Sequence, residues 1–121
     1  MRILHLDDDP SDSLLVERGV YREGINARFI SARTPSEFCN ALKDGGFDIV
    51  IVDNGLLGFS ALEAIAQAKA NYPTIPVIVC SGAARDADVT ASLKAGASDY
   101  VLKDNPGQLA SALRRNAAQK R

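Results

Sequence analysis

The chain has 121 residues, 46% of them hydrophobic, with a formal net charge of -1 and a pI near 5.7. That is enough apolar material for one domain with its own core, read here over residues 1–121, and the charge supplies no basic field for direct contact with nucleic acid. No apolar stretch reaches the roughly 20 residues that span a bilayer, and Met1-Arg2-Ile3-Leu4 opens a strand rather than a secretory signal, so a soluble, cytoplasmic protein without membrane insertion is expected.

Apolar runs of strand length alternate five times with segments of helical period, the pattern of βα units around a parallel sheet covered on both faces. The first strand is expected at residues 2–7 and ends in Asp7-Asp8-Asp9; Asp9-Pro10-Ser11-Asp12 then turns the chain and caps the first helix, which stops at Gly24. His5, between Leu4 and Leu6, reads as a structural strand residue. After the second strand at residues 27–32, Thr34-Pro35-Ser36-Glu37 places a capping Thr, a Pro in the first helical position and a Glu three residues after the cap. Gly45-Gly46 stops that helix. The third strand, residues 48–52, leads into Asp53, and Ser60 with Glu63 repeats the capping box ahead of the third helix. The fourth strand, residues 76–80, is followed by Ser81; Arg85, Asp86 and Asp88 open the fourth helix, which stops at Gly96. The fifth strand, residues 100–102, ends at Lys103, Asn105-Pro106 caps the fifth helix, and the tail from Arg114 to Arg121 turns polar and basic. Cys39 and Cys80 lack metal-binding spacing and lie in apolar settings, so both are expected to be buried thiols in a reducing compartment.

In an open parallel sheet the ligand site lies beyond the carboxyl ends of the strands, where the winding direction reverses. Asp7, Asp8, Asp53, Ser81 and Lys103 all stand at such ends. An Asp after a strand is by itself a turn former or a helix cap; the joint placement is what points to a site. Carboxylates gathered within a few ångströms repel one another, which calls for a hard divalent cation with oxygen ligands.

The segments Leu6-Asp7-Asp8-Asp9-Pro10, Val50-Ile51-Val52-Asp53, Val79-Cys80-Ser81-Gly82-Ala83 and Ala95 to Lys103 together resemble the receiver domain of two-component response regulators over essentially the whole chain. The resemblance implies a doubly wound, flavodoxin-like α/β fold with strand order 2-1-3-4-5 and five helices. It implies that Asp53 accepts a phosphoryl group from the phosphohistidine of a sensor histidine kinase or phosphotransfer protein. It further implies that Asp7, Asp8, Asp53 and the backbone carbonyl of Gly55 hold Mg²⁺, that Lys103 and Ser81 act on the phosphoryl group, and that Ser81 and Tyr100 form the switch. Such a chain promotes only its own phosphorylation and dephosphorylation and is otherwise no enzyme. A C-terminal output domain of a parent protein and a homodimer through the fourth and fifth helices are the further partners implied. The chemistry is consistent in itself: phosphoryl transfer is catalysed chiefly by positioning and charge stabilisation, and the cation with Lys103 would keep the Asp53 carboxylate ionised.

Several positions depart from the family pattern. Leu57 stands where a Pro is usual, Ala61 where a Gly is usual, and Asp104 replaces the Pro that follows the lysine, so a trans peptide is expected there. Gly55 and Ala83 offer no bulk beside the phosphoryl position, which predicts a short-lived phosphorylated form. Two rivals stay open: a receiver-like module that binds partners without phosphorylation, and a phosphatase of the haloacid dehalogenase type with Asp7 as nucleophile. The latter would need an acidic pair after the fourth strand, where this chain has Ser81-Gly82-Ala83-Ala84.

Overall fold

The computed structural model describes residues 1–56, 58–83 and 85–119. Leu57, Ala84 and the last two residues of the basic tail, Lys120 and Arg121, lie outside the described residues, and with them the departure from the family pattern at Leu57. The elements follow in the order β1 (Arg2–Leu6), α1 (Pro10–Arg22), β2 (Arg28–Ala32), α2 (Pro35–Asp44), β3 (Ile49–Asp53), α3 (Ala61–Asn71), β4 (Val77–Ser81), α4 (Asp86–Lys94), β5 (Asp99–Leu102) and α5 (Pro106–Gln119). All pairings are parallel and the sheet order is β2-β1-β3-β4-β5, the doubly wound arrangement expected.

Period-two alternation divides the strands between two cores. Leu4, Leu6, Val50, Val52, Val77 and Val79 pack under α2 and α3 with Phe38, Leu42, Ala64 and Ile65. Ile3, Ile49, Ile51, Ile78, Cys80 and Val101 face α1 and α5 with Val16, Val20, Leu109 and Leu113. Because both faces are covered, β3 and β4 are buried along their full length, which is why they read as unbroken apolar runs.

The caps act as the side-chain chemistry dictates. Asp9 accepts from the backbone N–H of Ser11 and Asp12 at 2.9 and 3.4 Å, Thr34 Oγ1 from Glu37 N–H at 3.1 Å, Ser60 Oγ from Glu63 N–H at 3.1 Å, and Asn105 Oδ1 from Gln108 N–H at 3.1 Å. The return bond of the Thr34 box goes from Arg33 N–H to Glu37 Oε1 rather than from the cap itself. Gly96 ends α4 at a φ of +114°, a conformation that other residues rarely adopt.

His5 is fully buried, with Nδ1 3.3 Å from Glu17 Oε2 and its ring tilted against Phe29, while its Nε2 is buried without a hydrogen-bond partner among the described residues. No cis peptide occurs among the described residues, so the bond between Lys103 and Asp104 is trans. One cysteine differs from expectation. Cys80 is buried in β4, and burial pushes its thiol up to about 12. Cys39 is only half-buried, and its thiol donates to Gln67 Oε1 at 3.0 Å across the seam between α2 and α3. Its position on α2 turns it toward a polar neighbour, which an apolar sequence context does not reveal.

Candidate functional site

Sheet register brings the chemistry together. Leu6 pairs with Val52, so the next residues, Asp7 and Asp53, emerge side by side. Asp53 pairs with Cys80 and Ser81 with Leu102, while ladder bonds from Asn54 N–H to the Cys80 carbonyl (2.9 Å) and from Lys103 N–H to the Ser81 carbonyl (2.8 Å) carry the pairing one step past the strands. Asp7, Asp53 and Lys103 continue the parity of Ile3, Ile51 and Val101, so all three side chains issue toward the α1 and α5 side of the sheet edge. This is the switch point between β1 and β3 where an open α/β sheet binds its ligands.

Asp7 is fully buried and both its oxygens are engaged: Oδ1 accepts from Asp9 N–H at 3.0 Å and Oδ2 from Lys103 Nζ at 3.3 Å. Asp53 is buried too, with Oδ1 3.0 Å from Lys103 Nζ and 3.2 Å from Gly55 N–H. Oxygens of Asp7, Asp8 and Asp53 lie within 4.8 Å of one another. They form an all-carboxylate donor set, with the exposed Asp8 at the solvent side, and such a set fits a hard divalent cation. The cleft above them measures about 290 Å³ and is lined by Asp8, Asp12, Asp53, Gly55, Ser81 and Lys103 among others.

Electrostatics here are a contest. Burial pushes the Asp53 carboxyl up, the hydrogen bond from Lys103 pulls it down, the charge of Asp7 pushes it up again, and the Gly55 N–H pulls it down; the net displacement is upward. Lys103 by itself therefore does not achieve the depression expected of it together with a cation. On Lys103, burial disfavours the ammonium, but its bonds to Asp53 and Asp12 and the charges of Asp53 and Asp7 outweigh that and raise its pKa.

The profile of the response regulator receiver domain matches residues 3–114, nearly the whole chain. The chain belongs to the receiver domains. The regulator KdpE of Mycobacterium tuberculosis is 31% identical over 121 residues, covering 96% of this chain and 52% of KdpE. The sensor protein GacS of Pseudomonas syringae is 29% identical over 107 residues, covering 84% of this chain and 12% of GacS. The receiver thus spans about half or less of the curated relatives it matches. A response regulator from Burkholderia pseudomallei, solved with a phosphorylated aspartic acid, calcium ion and citrate, is 28% identical, with a TM-score of 0.79 over 98% of this chain and 69% of that one. A receiver domain from Methanospirillum hungatei shares the fold at a TM-score of 0.81 and 24% identity, over 98% of this chain and 94% of that one. The protein is accordingly a signalling module of two-component systems.

Ser81 and Tyr100 lie on the opposite face of the sheet from Asp7 and Lys103, the face shared with Val79. The receiver's two switch candidates meet at one atom. Ser81 Oγ donates to the Ala83 carbonyl at 2.7 Å and accepts from Ala83 N–H at 3.2 Å, and the Tyr100 hydroxyl donates to the same carbonyl at 3.4 Å.

Three residues at the site escaped sequence reasoning. Asp12, read only as part of a turn and cap, reaches Lys103 Nζ at 3.1 Å. Asn54 donates from Nδ2 to the Tyr100 hydroxyl at 2.9 Å. Arg33, beyond β2, donates to the Asp7 carbonyl at 3.0 Å and to Ser13 Oγ at 2.7 Å, pinning the β1 end. A repeat of Asp at the start of α1 was the only local hint for the first, and the other two carry no local signal.

Proposed function

We propose that residues 1–121 form a single receiver domain in which Asp53 accepts a phosphoryl group from the phosphohistidine of a sensor kinase or phosphotransfer protein. The observation that carries this reading is the Lys103 ammonium 3.0 Å from Asp53, beside a carboxylate cluster suited to a divalent cation. A carboxylate oxygen of Asp53 bonds to phosphorus as the bond from phosphorus to the imidazole nitrogen breaks. Lys103 balances the negative charge spread over the equatorial oxygens. Asp7, Asp8 and Asp53, with the Gly55 carbonyl, would hold Mg²⁺, which supplies further positive charge at those oxygens. Asp7 itself is a poor candidate nucleophile, since both its oxygens are already engaged, and this argues against the phosphatase alternative.

Ser81 then leaves the Ala83 carbonyl to bond the phosphoryl group, and Tyr100, which donates to that same carbonyl, shifts with the β4–α4 loop. The equilibrium moves because phosphate binds one loop arrangement better than the other. The face of α4, β5 and α5 carries the change to an output domain or a second copy. Exposed Leu14 and Leu15 on α1, the helix whose first turn carries Asp12, suit an apolar helix of the phosphodonor. Gly55 and Ala83 leave the phosphoryl group open to water, so the phosphorylated form is short-lived. A cytoplasmic location follows from the donor, whose phosphohistidine is made from ATP.

Incubation with acetyl phosphate and Mg²⁺ followed by intact mass measurement should show one added phosphoryl group, absent from Asp53→Asn. An unchanged mass in the parent protein, or an adduct retained by the variant, would refute the assignment; the first result would favour a module that binds partners without phosphorylation.

A further inference from the structure

Lys103 has three ammonium hydrogens and three carboxylate neighbours: Asp53 at 3.0 Å, Asp12 at 3.1 Å and Asp7 at 3.3 Å. Two of these belong to the trio that gathers for a cation. Asp12 does not. It comes from the first turn of α1, its backbone N–H is held by the Asp9 carboxylate, and its side chain is half-exposed at the mouth of the cleft.

We infer that Asp12 is a positioning residue for the phosphoryl reaction, a carboxylate outside the cation-binding trio that holds the Lys103 ammonium at the cleft mouth. This rests on the reading of Asp53 as phosphoacceptor. A lysine side chain has many rotamers, and freezing one for catalysis is costly unless a partner holds it. When Asp53 becomes an acyl phosphate, the donor that Lys103 gave to Asp53 must turn to a phosphoryl oxygen. Asp12, with Asp7 behind it, is what this exchange leaves in place, so the ammonium pivots about it at the cleft mouth rather than swinging into solvent. The bland role for Asp12 is an acid at a helix N-terminus, favourable through the helix dipole alone. That role would be indifferent to what stands at position 103, which separates the two.

The test is a double-mutant cycle on the full chain with Asp12→Asn, Lys103→Met and the pair, plus Asp12→Glu, measuring the rate of phosphoryl uptake from acetyl phosphate by intact mass. With Lys103 present, Asp12→Asn should slow uptake by about three- to fivefold, the scale of a part-exposed ion pair, and Asp12→Glu should restore most of it. With Met at 103, Asp12→Asn should cause no loss, and a small gain is expected because one negative charge no longer opposes the anionic donor. Thermal melts of the parent, the two single variants Asp12→Asn and Lys103→Met, and the pair, without phosphodonor, should also show non-additive effects of the two sites. Equal effects of Asp12→Asn in both backgrounds, no effect with Lys103 present, or strictly additive melting shifts would each overturn the inference. Should the parent protein take up no phosphoryl group, the assignment of Asp53 falls and this role falls with it; uptake that is indifferent to Asp12 sinks the positioning role alone.

Discussion

Replacing Asp53 with Asn should abolish phosphorylation and yet make the protein more stable at neutral pH. At an effective dielectric of 20, the Lys103 ammonium 3.0 Å away attracts the carboxylate by about 5.5 kcal/mol, while Asp7, with an oxygen within 4.8 Å, repels it by about 3.5 kcal/mol. Burying the ion costs about another 3–4 kcal/mol. The sum leaves about 1–2 kcal/mol against the charged form. Asn keeps an oxygen to accept from Gly55 N–H, and Lys103 keeps Asp7 and Asp12. For a chain of this size that gain corresponds to about 4–8 °C in Tm. The pH dependence identifies the cause. The folded pKa of Asp53 lies above its ordinary 3.8, so between those two values the native state binds more protons than the unfolded state, and stability falls as pH rises through that window. The advantage of the variant should therefore be full at pH 7 and shrink toward zero as pH drops below 3.8. Thermal denaturation followed by circular dichroism at both pH values, in chelator, measures it. A variant less stable than the parent at pH 7, or an advantage that is the same at acid pH, would refute the reasoning.

Saturating Mg²⁺ at a hundred times its Kd should stabilise the fold by about 2.7 kcal/mol, and Asp8→Asn should blunt that gain in a melt titrated with the ion. Phe38→Ala should cost about 3–5 kcal/mol in urea unfolding, because the ring is fully buried and packs 6.2 Å from Phe59, so its removal leaves a cavity in the core. Gly55→Asn should lengthen the lifetime of the phosphorylated form severalfold, since a Cβ at that position would stand 3.7 Å from both Asp53 oxygens without a clash; a lifetime equal to the parent's would show that access at position 55 does not govern hydrolysis.

Local chemistry settled much of this protein in advance. Unbroken Val and Ile runs mark strands buried on both faces, and a Thr, Ser or Asn three residues before a needed backbone donor marks a helix start; these depend on near neighbours alone. Asp7, Asp8, Asp53, Ser81 and Lys103 were legible for the same reason, as polar residues that end apolar runs. The strand limits moved by a residue because ladder bonds such as Asn54 N–H to the Cys80 carbonyl come from a partner strand. Asp12, Asn54 and Arg33 joined the site only through folding: each meets its partner across 20 to 91 positions of chain. The direction of the Asp53 pKa likewise depends on burial and on the distances to Lys103 and Asp7, which follow from sheet register. Composition and spacing decide which elements form, but which charges share a low-dielectric edge is decided by the pairing of distant strands.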